Sequence, residues 1–216
     1  MADGQIRAGR GGRVDGPAQT SAPSDAVRLR PLRPGDRGRF LQWMQSPEVR
    51  RHYLGIGAGG HVVDDPEWIP GQATAAEGAR RPALGTGRPA GCMVRAIETA
   101  DGRLLGWIEL RDVNWRRRSG EMRICLGDPT TWGCGYGTAA IRLFLHRAFS
   151  VWGLCGIHLR VATWNERAVR AYERCGFRRE ARLCAGHRMA DGLEDLWLMT
   201  VEAGSAQVRA AIGGRS

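Results

Sequence analysis

Not one of the 216 residues is lysine; the 32 basic residues are all arginine and face 22 acidic ones. Without lysine there is no Gly-Lys-Ser/Thr ending, which excludes a nucleotide P-loop. No apolar run approaches roughly 18 residues, and the N-terminus lacks the hydrophobic core of a signal peptide, so the chain is expected to be cytoplasmic and to make no membrane contact. The six cysteines (92, 125, 134, 155, 175 and 184) form no Cys-x-x-Cys pair. That spacing argues against a zinc site or a disulfide frame, and points to reduced, mostly buried thiols and no metal. What is present in excess is positive charge. A net charge of +10 favours acidic partners such as phosphorylated cofactors, RNA, tRNA or ribosomal surfaces, and disfavours a polycationic substrate.

The length fits one domain with a sizeable core between unstructured ends. Residues 1–25 hold almost no large apolar side chains and are expected to form a disordered arm, and residues 203–216 a flexible tail. Between them, 26–202 read as one folded unit. Val27 to Leu32 alternate as a strand, and Asp36 stands where it would cap a helix through Phe40, Trp43 and Met44. A second short helix starts at Pro47. Residues 54–91 form a long Gly-, Ala- and Pro-rich insertion, read as a lid on the acceptor side in its first half. Strands follow at Cys92 to Glu98 and Leu104 to Val113 around Asp101-Gly102, then at Glu121 to Leu126. The last hairpin, Phe177 to His187 and Leu193 to Val201, flanks Ala190-Asp191-Gly192.

The chain is organised around residues 124–140. A strand runs through Gly127-Asp128-Pro129 into a loop with Gly133, Gly135 and Gly137, and then into a helix. Ile141, Phe144, Leu145, Ala148 and Phe149 recur along that helix at spacings of three and four. A strand, glycine loop and helix in this order aim free backbone N–H groups and the positive end of a helix dipole at one spot, which suits a phosphate. No acidic residue follows roughly 20 positions on to hold a ribose, so a dinucleotide fold does not fit. Downstream, His158 to Ala162 reads as a strand, Asn165 as the cap of a helix, and Gly176 as its end. Tyr172 lies about 10 Å along that helix from its cap, close enough for its hydroxyl to reach a cleft bordered by the cap.

These two stretches resemble the GNAT acyltransferase superfamily, in the branch of the Rim-type ribosomal-protein alanine N-acetyltransferases. Trp132-Gly133-Cys134-Gly135-Tyr136-Gly137 stands where that family has its Arg/Gln-x-x-Gly-x-Gly/Ala pyrophosphate loop. Asn165-x-x-Ala168-x-x-x-Tyr172-x-x-x-Gly176-Phe177 matches its Asn-to-Gly-Phe helix. The resemblance covers roughly residues 27–202 and implies a single α/β (α+β) domain. Its mixed, mostly antiparallel sheet would have six to seven strands and about four flanking helices, with a splayed strand pair at the cofactor site.

It further implies acetyl-CoA as co-substrate, with its pyrophosphate on the amides of Gly133, Cys134, Gly135, Tyr136, Gly137 and Thr138. The pantetheine arm would lie along Ile124, Cys125 and Leu126, where the amide of Cys125 or Leu126 would polarise the thioester. Asn165, beside Ala168, would contact the arm or tie the splay together, and Tyr172 would protonate the leaving thiolate. Trp132 and Cys134 depart from the cations common in that loop, so arginines elsewhere must help hold the phosphates. The acceptor would be a primary amine, on a protein N-terminus or a small metabolite, attacking directly in a ternary complex. Glu121 and Glu109 are the candidate bases, each with a competing role as partner of an arginine such as Arg123 or Arg111. A tRNA- or carrier-bound acyl donor and a non-catalytic CoA- or RNA-binding module are the alternatives. Either a monomer or a homodimer is compatible with this reading.

Overall fold

The computed structural model of the chain describes residues 27–53, 93–189 and 192–205. The expected N-terminal arm, the 54–91 insertion, Ala190-Asp191 and most of the C-terminal tail lie outside the described residues. In chain order the elements are β1 (Val27–Arg30), α1 (Asp36–Met44), α2 (Pro47–His52), β2 (Met93–Thr99), β3 (Leu104–Asn114), β4 (Ser119–Leu126), α3 (Tyr136–Ser150), β5 (Gly156–Ala162), α4 (Glu166–Arg174), β6 (Arg178–Met189) and β7 (Gly192–Glu202). One seven-stranded sheet runs β1-β2-β3-β4-β5-β7-β6. Every neighbouring pair is antiparallel except β4 and β5. The strand number, mixed sense and four helices match the sequence expectation.

Side chains alternate across a strand, so the sheet has two buried faces. On one, Met122, Ile124 and Leu126 of β4 pack with Phe144 and Leu145 of α3 and with Val169 and Tyr172 of α4. On the other, Cys125 of β4 and Trp107 of β3 pack with Phe40, Trp43, Val49 and Tyr53 at α1 and α2. Glu121 and Arg123 share the parity of Cys125 and so belong to the α1/α2 face.

Two sequence expectations need correction. Gly35, not Asp36, occupies the N-cap of α1, with helical backbone angles and no side-chain bond. Asp36 sits one residue inside and binds the Arg30 guanidinium through both oxygens (2.7 and 2.9 Å) as well as the Arg33 amide (2.7 Å). A bidentate charged bond outcompetes a cap. The thiols are also less buried than expected: of the five described, Cys125 and Cys175 are buried, whereas Cys134, Cys155 and Cys184 are exposed.

Candidate active site

The parallel pair is short. β4 and β5 are in register only at Ser119↔Gly156, Gly120↔Ile157 and Glu121↔His158. Beyond that point β4 stays with β3 as far as Leu126, and β5 stays with β7 as far as Ala162. The two strands therefore part from Met122 onward, leaving a gap with unpaired backbone. Which groups face it follows from the ladder. Gly127 N bonds Leu105 O (2.9 Å). Antiparallel pairs alternate, so Cys125 and Arg123 also turn their amides to β3, while Ile124 and Leu126 turn theirs to the gap. Cys125 contributes its side chain to the cavity, not its amide.

Past Leu126 the chain makes a single 3-10 turn at Pro129–Thr131, with Asp128 accepting from the Thr130 amide (3.0 Å), and enters the glycine loop. Gly133 and Gly135 hold φ of +81° and +88°, values that side chains with a Cβ tolerate poorly. Gly135 caps α3 without a side-chain bond, and the first bond into the helix is Ala139 N to Gly135 O (3.0 Å). The amides of Tyr136, Gly137 and Thr138 thus have no intrahelical acceptor and are left for an anion.

From the other side comes α4. Asn165 Oδ1 accepts from the Ala168 amide (3.2 Å). The helix closes with Phe177 N on Tyr172 O (3.1 Å) and Gly176 N on Glu173 O (3.0 Å), a paired C-terminal motif that needs the φ of +94° at Gly176. Tyr172 and Phe177 stack edge-on across that motif, with ring centroids 5.7 Å apart, which fixes the phenol. Tyr172 is 9% exposed, lines the gap, and its hydroxyl has no hydrogen-bond partner among the described residues. Burial pushes the phenol well above its ordinary pKa, with the Cys175 and Cys125 thiols adding to the shift.

The α1/α2 face brings in the charged groups. Glu121 is clasped by Arg160 (Nε to Oε1 3.0 Å, Nη2 to Oε2 3.1 Å) and approached by Arg123 (3.4 Å). Burial alone would raise its pKa, but the Arg160 bonds and the two guanidinium charges outweigh it and hold the carboxyl below its usual range. Glu109, 2% exposed, does not line the cavity. It stands opposite Arg123 in register and accepts a bond from the Tyr53 hydroxyl (3.0 Å), and it is Tyr53 that faces the cavity.

Of the sequence-identified residues, the cavity gathers Glu121, Ile124, Cys125, Leu126, Trp132, Gly133, Gly135, Gly137, Thr138, Asn165, Ala168 and Tyr172. Cys134 and Tyr136 do not line it. Cys134 is exposed with its sulfur near the carbonyls of Thr130 and Trp132, and Tyr136 packs on the α3 core. Sequence reasoning missed Val49, His52, Tyr53, Arg123 and Arg160 as cavity residues. The alternation of Glu121 and Arg123 with Cys125 could have found Arg123; nothing in the sequence joins α2 to this site. An arginine approaches the glycine loop from α4, where the Arg167 guanidinium lies over the Trp132 ring, 4.3 Å from its centroid. The Trp132 indole in turn donates to the Leu126 carbonyl (2.9 Å), and His52 rests between Trp132 and Trp164 with ring centroids 4.7 and 5.1 Å away.

Comparison with known proteins gives this arrangement a family. Residues 26–178 match the family described as the acetyltransferase (GNAT) domain. The chain belongs to that family. Among curated relatives, this GNAT chain is 37% identical over 87 residues to the spermidine N(1)-acetyltransferase of Vibrio cholerae, a stretch covering 40% of the chain and 50% of the relative. It is 33% identical over 89 residues to the corresponding Escherichia coli enzyme, covering 41% of the chain and 47% of the relative. The chain thus spans about half the length of the curated relatives it matches. A crystal structure of spermidine N-acetyltransferase from Vibrio cholerae in complex with CoA and spermine superposes with a TM-score of 0.61 at 22% identity, covering 82% of this chain and 95% of that one, which establishes a common fold. The relatives named above are spermidine N-acetyltransferases and do not single out the Rim-type alanine branch that the motifs suggested.

Proposed function

We propose that the protein is an acetyl-CoA-dependent N-acetyltransferase that acts on an amine by direct attack within the β4/β5 gap. The observation that carries this reading is the convergence, at one gap, of uncapped α3 amides, a strand edge with free backbone groups and a phenol without a hydrogen-bond partner among the described residues. In this reading the pyrophosphate of acetyl-CoA takes the amides of Tyr136, Gly137 and Thr138, with Arg167 supplying charge over Trp132. The pantetheine arm runs along β4. Because Cys125 turns its amide to β3, the polarising donor for the thioester oxygen is the Leu126 or Ile124 amide.

The acceptor nitrogen loses a proton and attacks the carbonyl carbon; the C–S bond breaks, and Tyr172 gives its proton to the departing sulfur. Glu121 is a poor base, since two guanidinium groups stabilise its charge. Glu109 suits the task better through Tyr53: the phenol oxygen takes the amine proton as its own proton passes to Glu109 across their 3.0 Å bond. A protein N-terminus and a small metabolite both satisfy this chemistry. The names of the curated relatives favour a small polyamine as a second reading. The test is native mass spectrometry for retained CoA, followed by thiol release from acetyl-CoA over an amine panel. Acetylated product with stoichiometric thiol supports the reading, and no thiol release with any amine overturns it.

A further inference from the structure

Among the described residues that line the cavity, Glu121 is the single carboxylate, against Arg123, Arg160, Arg167 and Arg174. The cofactor's phosphates account for Arg167 at the glycine loop. On the acceptor side the two nearby carboxylates among the described residues are already committed. Glu121 carries the Arg160 fork and Arg123. Glu109 takes the Tyr53 hydroxyl and faces Arg123 across the β3/β4 ladder. Among the described residues a second ammonium on the acceptor would therefore meet no free anion, and would lie beside guanidinium groups.

Arg160 offers the reverse. Its Nε and Nη2 are used on Glu121, and Nη1 has no partner among the described residues, on a side chain 41% exposed that lines the cavity. Clasping one edge in a salt bridge fixes the plane of the guanidinium, so the open edge is held ready rather than searching. Glu121 and Ile124 are three residues apart on β4, about 10 Å at the rise of a strand. A group held at Arg160 is thus within one short molecule's length of a thioester bound at Ile124 or Leu126.

We infer that the acceptor carries, besides its amine, a carboxylate or phosphate about 5–10 Å from the nitrogen, and that Arg160 Nη1 holds it. This rests on the acetyl-transfer reading above and departs from the polyamine acceptors named for the curated relatives.

The test measures kcat/KM by thiol release for glutamate, phosphoethanolamine, alaninamide and spermidine, with wild type, Arg160→Gln and Arg160→Lys. Glutamate and phosphoethanolamine separate a carboxylate from a phosphate source. The acidic amines should exceed alaninamide and spermidine by about 10- to 100-fold, the worth of a hydrogen bond to a charged group. That ratio should collapse in Arg160→Gln and partly return in Arg160→Lys, with thermal melts confirming folded variants. Preference for spermidine, or a ratio unchanged in Arg160→Gln, overturns the inference. Calorimetry of the same amines into CoA-saturated protein separates the two claims. If no amine is acetylated, yet an acidic amine binds and Arg160→Gln abolishes that binding, the transfer reading fails while the anion site stands. Absence of such binding overturns the site as well.

Discussion

Replacing Tyr172 by phenylalanine isolates one hydroxyl. The ring keeps its contact with Phe177 and its place in the α3/α4 core, and the lost hydroxyl leaves no described group unpaired. The stability cost should therefore stay under about 1 kcal/mol, below that of a broken buried hydrogen bond. The kinetic cost is set by the leaving sulfur. Cys125 lines the same cavity, and burial, with Glu109 beside it, pushes its thiol far above the ordinary value. A CoA thiolate born in that environment is equally short of solvation, so it is a strong enough base to take a proton even from a phenol whose own pKa is raised. General acid catalysis contributes about 10²- to 10⁴-fold. Because a thiolate is a fair leaving group, the lower end applies: kcat should fall about 100-fold, with the KM for acetyl-CoA little changed. Thiol release under saturating substrates, paired with a thermal melt, reads both quantities. A variant that keeps more than about half of its kcat, or one that loses several kcal/mol of stability, would refute the acid role; the second outcome would make Tyr172 a packing residue.

Tyr53→Phe breaks the bridge between cavity and Glu109. The expected result is a fall in kcat/KM of about 10- to 100-fold, with a rate that keeps climbing with pH toward the amine's own pKa where wild type levels off sooner; a profile parallel to wild type would remove Tyr53 from the relay. Glu121→Gln tests the ion-pair cluster: the folded-state pKa is lowered, so the stability it confers is present above the ordinary carboxylate range and lost as pH falls through the lowered value. The gap between wild-type and variant unfolding free energy should be about 1–3 kcal/mol at neutral pH, discounted for the half-exposed Arg160, and should close progressively as the pH falls from the ordinary carboxylate range through the lowered folded-state value. A gap constant with pH would show that Glu121 acts through shape rather than charge.

The parts legible in the sequence were those with local causes. Alternation marked the strands, Asn165 and Gly176 bracketed α4, and the glycine spacing located the loop that leads into the open amides of α3, because each feature is written within one turn or one strand. The failures were non-local. Asp36 has the composition of a cap but is claimed by Arg30, on the neighbouring strand. Arg123 and Arg111 were the arginines offered to Glu121 and Glu109 alike, yet the main partner of Glu121, Arg160, comes from β5 and is visible only once the parallel register is known. Tyr53 was out of reach altogether: no periodicity ties the end of a six-residue helix to Glu109 on the middle of β3. Of the many arginines, Arg123, Arg160, Arg167 and Arg174 line the cavity itself.

The parallel sense of β4 and β5 is what would let the proposed acid and base meet. Parallel strands end side by side, so the helices that follow them both begin at one place, as at the switch point of an open α/β sheet. The two helix starts are then used differently. α3 begins at Gly135, which offers no side chain, and its amides remain for a ligand; α4 begins at Asn165, whose Oδ1 already occupies the Ala168 amide, so its contribution is the rigid presentation of Tyr172. Tyr172 belongs to the α3/α4 face of the sheet, and Tyr53 and Glu109 to the α1/α2 face. In a closed sheet the backbone ladder would separate them. Because pairing stops at Glu121↔His158, groups from both faces open onto one cavity, and in the proposed reaction a thioester lying in the gap would be attacked from one face while its sulfur is protonated from the other. The proposed transfer, which moves a proton off nitrogen and onto sulfur in the same site, would use this two-sided access.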